Sequence, residues 1–540
     1  MSKTRRDFIG SSSVAMLAMA GIPAIHLPQR APHSLVLRGG TVFDGSGSDG
    51  TEMDVAISDG RIAEVAARIA GRGAQEIDVR GMAVAPGFVD IHSHGDSSLS
   101  DDPRAESLVR QGITTIVAGQ DGSSHGTGKG TNESLGAWFT SLDRLSPAVN
   151  VAAMVGLGSV RESIVGEDDR PATSDEMRRM LALVERALVD GACGASSGLE
   201  YTPGAFAPPE ELIALCRPLA SRHLPYATHM RNEDDRLLDS IDESIAIARG
   251  ARCPLQISHL KTQGPRNWSK LDTVFAKIDA ARKEGLDVAF DRYPYVAYQT
   301  GLTNLFPVWS RDGGTKAFFA RLDDRATEPR IRKEMLAKVD LIGGWDNVLI
   351  DGVSAAQDRD AEGKRLGQLA TARGAEPYDL TVALLRRSNG DVGMLGFAMS
   401  EDNLSRILAH PLGMVCSDGG SYAVEGPTRR GSPHPRGLGT FPRVLGRYAR
   451  ERKALTLAQA IHKMTALPAS RVRLADRGSL AKGMAADVVV FDSARIIDKA
   501  TFDSPFQYPE GVSVVVVNGS IALRDGARVG SGHGRVVRPR

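Results

Sequence analysis

The sequence predicts an α/β fold, a (β/α)8 TIM-like barrel with a small β-sandwich domain formed by the N- and C-terminal segments. Two observations predict it. The middle of the chain alternates short apolar runs with helical patterns, which is typical of parallel βα units. Both ends instead carry short strand-like runs separated by glycine turns. The two ends are therefore expected to pair with each other beside the barrel.

The predicted elements follow in chain order. Thr173 and Glu176 form a capping box before one barrel helix, and Ser269 is the predicted cap of another. The β domain is assigned to residues 34–81 and 478–540, with the barrel at 82–477 between them. The barrel strands are predicted at 84–91, 113–118, 149–156, 192–197, 225–229, 254–259, 286–291 and 412–416.

Residues from about 296 to 400 break the strand–helix rhythm. This segment holds extra helical patterns and one or two strand-like runs, so we interpret it as an insertion over the barrel mouth. The insertion could serve as a lid, as a purely structural addition or as an oligomer contact, and all three fit this pattern.

The charge balance argues against a polyanionic partner. The chain has 66 Lys and Arg against 65 Asp and Glu, and it shows no long basic or acidic block. Neither nucleic acid nor an anionic membrane surface is therefore an expected partner. The four cysteines form no C-x-x-C pair and are expected to be buried small residues.

Residues 1–33 are predicted to be a twin-arginine export signal with a linker. Arg5 and Arg6 precede a mildly apolar stretch over residues 11–24, which is too short and interrupted for a stable membrane span. The twin-arginine export machinery is then a partner, and the expected location is periplasmic or secreted. A chance arginine pair in a cytoplasmic tail is the alternative.

Polar side chains at strand ends carry the chemical signal. His92 and His94 end an apolar run, and residues two apart on a strand point the same way. His229, His259 and Asp418 each lie where another apolar run becomes a loop. A single histidine of this kind is more often a core or rim residue. Together the placements predict a metal site at the end of the barrel that carries the chemistry.

The order His-x-His, His, His, Asp on successive strand ends resembles the metal-dependent amidohydrolase superfamily. Five longer motifs resemble the N-acyl-D-amino-acid deacylases (D-aminoacylases): residues 227–233, 256–261, 291–295, 417–419 and 434–437. This likeness runs from about residue 35 to the C-terminal end. It implies hydrolysis of the amide bond of a small-molecule N-acyl-D-amino acid, which gives a carboxylate and a free D-amino acid.

The resemblance implies a metal centre of one or two divalent ions held by His92, His94, His229 and His259. Zn²⁺ suits imidazole ligands. The family has a cysteine ligand after the second strand, whereas Asp121 stands there in this chain. A carboxylate is a harder ligand that tolerates Mn²⁺ or Co²⁺ better. A turn-capping Asp121 that binds no metal is the alternative.

Other superfamily branches bridge two metals with a carbamylated lysine on the fourth strand. Residues 181–220 contain no lysine, which disfavours that design. Glu200 is the nearest acidic residue, and it can reach a metal only if the strand end turns inward.

Asp418 is the predicted general acid/base, with a simple turn residue as its alternative. The resemblance implies that Lys261, Arg436 and Tyr201 hold the α-carboxylate of the substrate. Tyr295 is expected to line the pocket, although a packed aromatic ring is the simpler explanation.

Three other functions compete with the deacylase. Two are a cyclic amide hydrolase and a D-specific peptidase of the same superfamily, and the third is a non-catalytic metal-binding protein on this fold. Lys261 and Arg436 would serve no purpose for a cyclic amide without a carboxylate. A non-catalytic protein should have a degraded site, yet every strand-end residue is present.

Overall fold

The computed structural model describes residues 32–127, 133–530 and 532–540, so nearly all of the predicted export signal lies outside them. In chain order, the strands are β1 (His33–Val42), β2 (Thr51–Ser58), β3 (Arg61–Ala66), β4 (Gly73–Asp78), β5 (Ala83–Pro86), β6 (Phe88–Asp90), β7 (Ile113–Ala118), β8 (Asn150–Ala153), β9 (Val155–Gly156), β10 (Ala195–Gly198), β11 (Tyr226–His229), β12 (Leu255–Ile257), β13 (Val288–Arg292), β14 (Ala297–Gly301), β15 (Val348–Val353), β16 (Val392–Phe397), β17 (Gly413–Val415), β18 (Val488–Phe491), β19 (Val512–Val517), β20 (Ser520–Arg524) and β21 (Ala527–Arg528). The helices are α1 (Glu106–Arg110), α2 (Leu135–Leu145), α3 (Leu157–Ile164), α4 (Ser174–Asp190), α5 (Pro209–Ala220), α6 (Leu237–Ala251), α7 (Leu271–Lys283), α8 (Gly314–Asp323), α9 (Glu328–Ile342), α10 (Leu366–Arg373), α11 (Pro377–Arg387), α12 (Glu401–Ala409), α13 (Arg436–Arg443), α14 (Leu457–Met464) and α15 (Ala466–Arg471).

The parallel strands form the predicted barrel. They pair in chain order as β6-β7-β8 and as β9-β10-β11-β12-β13-β17, and β8 continues almost directly into β9. The last strand returns to the first, because the Asp418 N–H donates to His92 O at 2.8 Å and the His94 N–H donates to Gly419 O at 3.0 Å. Eight strand positions therefore surround one apolar interior, and the carboxyl ends of the strands meet at one mouth.

The first predicted strand, 84–91, is in fact two strands. β5 belongs to the terminal sheet and β6 to the barrel, and the chain passes from one to the other at Gly87. A Cβ at Gly87 would lie 2.3 Å from Thr114 Oγ1, so only glycine allows this close crossing. The terminal sheet consequently extends beyond the predicted boundary at residue 81.

Strands from both ends of the chain join in one nine-stranded sheet. Its order is β21-β20-β19-β18-β5-β1-β2-β3, with β4 also paired to β1. The Ile62 N–H donates to Met484 O, so the far edge bends back toward the C-terminal strands. Apolar residues of both ends, such as Leu37 and Val514, share one buried core on this sheet.

The last residues leave this sheet and return to the barrel. Val536 forms a parallel bridge with Val151 of β8, and the Val537 N–H donates to Val151 O. The sequence pattern predicted that residues 478–540 belong to the β domain as a whole. The final segment instead covers the outer edge of a barrel strand, because that strand offers free backbone groups there.

The insertion over 296–400 forms its own small subdomain. β14, β16 and β15 make a three-stranded antiparallel sheet, and α8 to α11 pack around it. Its buried core merges with residues of the barrel interior, including Tyr293 and Met414. The subdomain therefore rests on the barrel mouth.

The two predicted helix caps differ in outcome. Thr173 and Glu176 form the predicted capping box at the start of α4. Ser269 is not a cap, since it lies in a short 3₁₀ helix and α7 begins after Lys270 without a side-chain cap.

All four cysteines are buried and free, as expected. In the described part of the chain, no helix combines the length and apolarity needed to cross a membrane.

Candidate active site

The residues predicted from strand ends converge at the barrel mouth. They form two clusters that share one side chain. The first ligand group consists of His92, His94, Asp121 and Asp418, and the second ligand group consists of Asp121, His229 and His259.

The first ligand group brings four ligand atoms together. Asp418 Oδ1 lies 3.2 Å from His94 Nε2 and 3.4 Å from His92 Nε2. Asp121 Oδ2 lies 3.4 Å from His92 Nε2 and 3.5 Å from His94 Nε2. His92 is oriented from behind by Asp291, whose Oδ1 lies 3.5 Å from His92 Nδ1.

The second ligand group is more enclosed. His229 Nδ1 and His259 Nε2 lie 3.0 Å apart. Asp121 Oδ2 lies 3.5 Å from His259 Nε2 and 3.9 Å from His229 Nδ1. A single oxygen of Asp121 therefore faces all four histidines.

Asp121 reaches this central position because its loop packs tightly on the next strand ends. A Cβ at Gly198 would lie 2.1 Å from the Asp121 carbonyl oxygen, so glycine is required there. The Gly122 N–H donates to Ser196 Oγ and holds the loop from the other side. The sequence left open whether Asp121 is a ligand, and this geometry brings its carboxylate within reach of both ligand groups.

Three of the ligand candidates have left-handed backbone. The φ angles are 51° at Asp121, 35° at His259 and 48° at Asp418. This conformation is costly for residues other than glycine and is concentrated at functional sites. The strained turns direct these side chains from the strand ends toward a common point.

The donor set fits a divalent cation. Nε2 of His92, which faces the first ligand group, and Oδ1 of Asp121 are buried and have no hydrogen-bond partner in the described part of the chain. Such groups are costly unless a ligand satisfies them. Imidazole and carboxylate donors suit Zn²⁺ and also Mn²⁺ or Co²⁺.

The electrostatics of the site also favour a cation. Burial opposes protonation of His94, but Asp121 and Asp418 outweigh it and raise the pKa of His94 to about 9. Burial likewise opposes protonation of His229, but Glu233, Asp121 and Glu200 raise its pKa to about 10. The clustered carboxylates thus create a strongly negative environment that favours positive charge.

Asp418 is held in its charged form. Burial disfavours that charge, but Arg436 and the neighbouring histidines outweigh it and lower the pKa of Asp418. Arg436 Nη1 donates to Asp418 Oδ2 at 2.6 Å. Asp418 therefore offers one oxygen to the ligand group and has the other bound by Arg436.

Lys261 lies at the back of the second ligand group. Its Nζ lies 2.7 Å from Glu233 Oε1 and 2.6 Å from His259 Nδ1. Glu233 Oε1 lies 3.2 Å from the same histidine nitrogen. Lys261 lines the cavity but is already paired, so its contact with a substrate carboxylate stays a prediction.

The predicted tyrosines differ in position. Tyr201 lines the cavity, and its ring packs 4.6 Å from that of His229. Tyr295 does not line it. Its ring packs against His434 behind the cavity wall, and its hydroxyl faces Asp498. This corrects the expectation for Tyr295, because the turn after β13 directs its ring away from the mouth and toward the packed interior.

One cavity of about 470 Å³ opens above the two ligand groups. It is lined by the ligand candidates, by Arg436 and Tyr293, and by residues of the insertion such as Tyr298 and Lys338. The volume is in the range of small-molecule sites.

Sequence reasoning missed several cavity residues. Glu233 lies in the motif 227–233, which was selected because of His229. No other sequence signal marked Glu233. Glu200 was not missed: the sequence named it as the nearest acidic residue, and it does turn inward, with Oε2 at 3.4 Å from His229 Nε2. Lys338 comes from α9 of the insertion and pairs with Asp234 at 2.6 Å. Glu162 of α3 also lines the cavity. No local pattern marked the last two.

Comparison with known proteins identifies the group to which this site belongs. The Amidohydrolase family model matches residues 75–337 and 423–523. A D-aminoacylase of Alcaligenes xylosoxydans xylosoxydans is 34% identical over 526 residues, covering 94% of this chain and 98% of the relative. An N-acyl-D-glutamate deacylase of the same organism is 35% identical over 500 residues, covering 90% and 92%.

A solved structure gives the same result in three dimensions. The N-acyl-D-glutamate deacylase of Bordetella bronchiseptica, complexed with zinc and a phosphonate mimic of the tetrahedral intermediate, superposes with a TM-score of 0.80. It is 33% identical, and the match covers 94% of this chain and 100% of that one.

Proposed function

The chain belongs to the amidohydrolase family, and from this premise we propose that it is a metal-dependent N-acyl-D-amino-acid deacylase. It hydrolyses a linear amide C–N bond and releases a carboxylate and a free D-amino acid. The relatives at 34–35% identity are deacylases of this kind and match almost the whole chain.

One observation carries the proposal. Two ligand groups share Asp121 at the mouth of the barrel, and Arg436 lies directly beside them through its contact with Asp418. This arrangement combines a cation site, a general base and a carboxylate-binding guanidinium in one cavity. A non-catalytic metal protein needs only the first.

The metal is proposed to be Zn²⁺, with one or two ions per chain. The residues that would hold it are His92, His94, Asp121, His229 and His259, as the donor chemistry of both groups supports. The zinc complex of the Bordetella bronchiseptica relative points the same way. When bound, a divalent cation polarises the amide carbonyl and lowers the pKa of water.

The protein's own residues then position the reactants and move the proton. Asp418, kept ionised by Arg436, accepts a proton from water and delivers it to the departing nitrogen. Asp291 and Glu233 orient His92 and His259 from behind. The insertion covers the mouth and limits the access of bulk water to the cavity.

Substrate orientation follows from the positions of the charged groups. Arg436 provides a planar guanidinium for the α-carboxylate. Tyr293 lies beside it, with the Arg436 guanidinium carbon 4.8 Å from the ring centre and a buried hydroxyl that has no partner among the described residues. The substrate is then held at three points: its carboxylate, its carbonyl and its side chain. Only one configuration of the α-carbon can satisfy all three at once. That configuration is proposed to be D.

A substrate panel tests the proposed function. The zinc-loaded protein is assayed with N-acetyl-D-amino acids, their L-enantiomers and the corresponding D-amides that lack the carboxylate. The D-acids should be hydrolysed and the L-acids should not. Arg436→Ala should lower kcat/KM for the D-acids by a factor equivalent to about 2–5 kcal/mol. The loss should be smaller for the amides, because they lose only the support that Arg436 gives to Asp418. Equal rates for both enantiomers would contradict the proposal.

Export is a separate proposal that rests on the sequence. The Arg5–Arg6 pair and the apolar stretch after it support export by the twin-arginine machinery to the periplasm or beyond. Fractionation of cells that produce the native chain and an Arg5→Lys, Arg6→Lys variant tests this. The variant should remain in the cytoplasm, and equal distribution of the two proteins would contradict export by this route.

A further inference from the structure

We propose that Glu162 binds a protonated amine on the acyl group of the substrate, so that the enzyme favours aminoacyl-D-amino acids, that is, dipeptides with a D-residue at the carboxyl end. The inference rests on the proposed deacylase activity and concerns the other half of the same cavity. It names a substrate class that the deacylase activity alone leaves open.

Glu162 differs from the other carboxylates of the cavity. Four of them lie within 3.4 Å of a histidine, lysine or arginine nitrogen: Asp121, Glu200, Glu233 and Asp418. Glu162 lines the cavity, yet within the described ranges of the chain it forms no hydrogen bond or salt bridge. Its negative charge is therefore available to a ligand.

Glu162 also lies apart from Arg436 in the barrel. α3 follows β8 and β9, the third strand position, whereas Tyr293 follows the seventh and α13 with Arg436 follows the eighth. In an eight-stranded barrel the third strand lies across from the seventh. Glu162 and Arg436 thus approach the two ligand groups from different sides, three strand positions apart in the ring of eight.

The substrate has a fixed linear order of groups. Its α-carboxylate lies on one side of the scissile amide and its acyl group on the other. With the carboxylate on Arg436 and the carbonyl over the ligand groups, the acyl group extends toward α3. An amine on the carbon next to the carbonyl is mostly protonated at pH 7 and carries a positive charge. It would then face the Glu162 carboxylate.

The wall around Glu162 suits a small polar group. Residues from the adjacent strand ends that line it include Ser123, Ser159 and Thr202, together with glycines 122, 158 and 204. The cavity cations do not compete for Glu162, since Lys261, Lys338 and Arg436 are each bound to another carboxylate. A long apolar acyl chain would instead bury this charge without a partner.

The reaction itself is ordinary hydrolysis. Water adds to the peptide carbonyl, the C–N bond breaks, and the departing nitrogen gains the proton. The products are a free amino acid and a free D-amino acid.

Three substrates that share one D-amino acid and differ only in the acyl group test the inference. They are the N-acetyl, N-glycolyl and N-glycyl derivatives. The glycolyl group carries a hydroxyl where the glycyl group carries an ammonium of similar size. With the zinc-loaded protein, kcat/KM for the glycyl substrate should exceed that for the glycolyl substrate by about 10–100-fold, the value of a charged hydrogen bond. This comparison requires no variant.

Glu162→Gln should lower the glycyl-to-glycolyl ratio to about one. Asp168→Asn is the matched control, because it removes a carboxylate from the same connection but 62% of that side chain is exposed to solvent. It should leave the ratio at the native value. A native ratio near one, or an equal change in both variants, would overturn the inference.

The outcomes also separate the two proposals. If none of the three substrates is hydrolysed, the deacylase function itself fails. If the N-acetyl substrate is hydrolysed without any preference for the glycyl one, only the role of Glu162 fails.

Discussion

The two ligand groups share Asp121 but lie in different surroundings. In the first group the His94 side chain is 38% exposed, and Asp418 is bound to Arg436 at the cavity wall. In the second group the His229 and His259 side chains are 6% and 2% exposed, and Glu233 with Lys261 supports them from behind. Both histidines of the second group are thus enclosed, whereas the first group combines the fully buried His92 with His94, which substrate and water can reach.

Alanine substitutions at the two groups should have the largest effects and should differ in kind. His259→Ala should abolish turnover and lower the bound metal, because it removes a ligand from the enclosed group. His94→Ala should lose metal only from the first group. Metal analysis and turnover of both variants measure this. If His229→Ala and His259→Ala both keep the metal content of the native protein, the ligand assignment is wrong.

Asp418→Asn should separate catalysis from metal retention. The substitution keeps the size of the side chain but removes the base, so kcat should fall by about 10²–10⁴-fold. The second ligand group remains intact, and at least one metal per chain should stay bound. Steady-state kinetics and metal stoichiometry check this result, and a near-normal rate at any pH would exclude the role of Asp418 as general base.

Glu233→Gln should lower the metal affinity of the second ligand group, because Glu233 orients His259. Glu233 faces His259 Nδ1 and pairs with Lys261, and loss of such a partner lowers metal affinity by about 10–100-fold. Competition with a chelator measures the affinity.

Glu211→Gln is the control for this variant. It breaks the equally buried Arg161–Glu211 pair, which lies outside the cavity lining. It should lower stability but leave metal affinity unchanged. Equal metal loss in the two variants would mean that Glu233 acts only through the fold.

The smallest expected effect is a pH dependence of the metal-free protein. The folded pKa of His94 is about 9 and that of His229 about 10, both above the unfolded value near 6.5. Their stabilising contribution is complete below pH 6.5 and is lost as pH rises through 9 to 10. The Tm of the metal-free protein should therefore fall by a few degrees as the pH rises from about 6.5 to 10.

The zinc-loaded protein provides the comparison for this experiment. Metal binding has already displaced the protons, so its Tm should not show the same decline. Thermal melts of both forms between pH 6 and 10 measure the difference, and parallel curves would show that these histidines are not the groups that exchange protons for metal.

Local patterns were sufficient for much of the fold and site. The barrel strands were predictable because each is a short apolar run bounded by glycine or proline, and their order in the chain is also their order in the barrel. The strand-end ligands followed from the same patterns. His92, His94, His229, His259 and Asp418 come together because the carboxyl ends of parallel strands meet at one mouth.

Long-range contacts were not predictable in the same way. The return of Val536 to β8 and the crossing at Gly87 depend on which free backbone groups lie nearby after folding. Likewise, Lys261 was assigned to the substrate, but its pairing with Glu233 depends on a residue 28 positions away. No periodicity in the sequence encodes such partners.

The sequence by itself determined the barrel and the strand ends at which the polar side chains converge, because these follow from periodicity and from spacing of a few residues. Only the tertiary structure decided how the charges pair, that one oxygen of Asp121 faces four histidines, and that Glu162 faces the cavity without a partner in the described chain. Those properties depend on distances of a few ångströms between residues far apart in sequence.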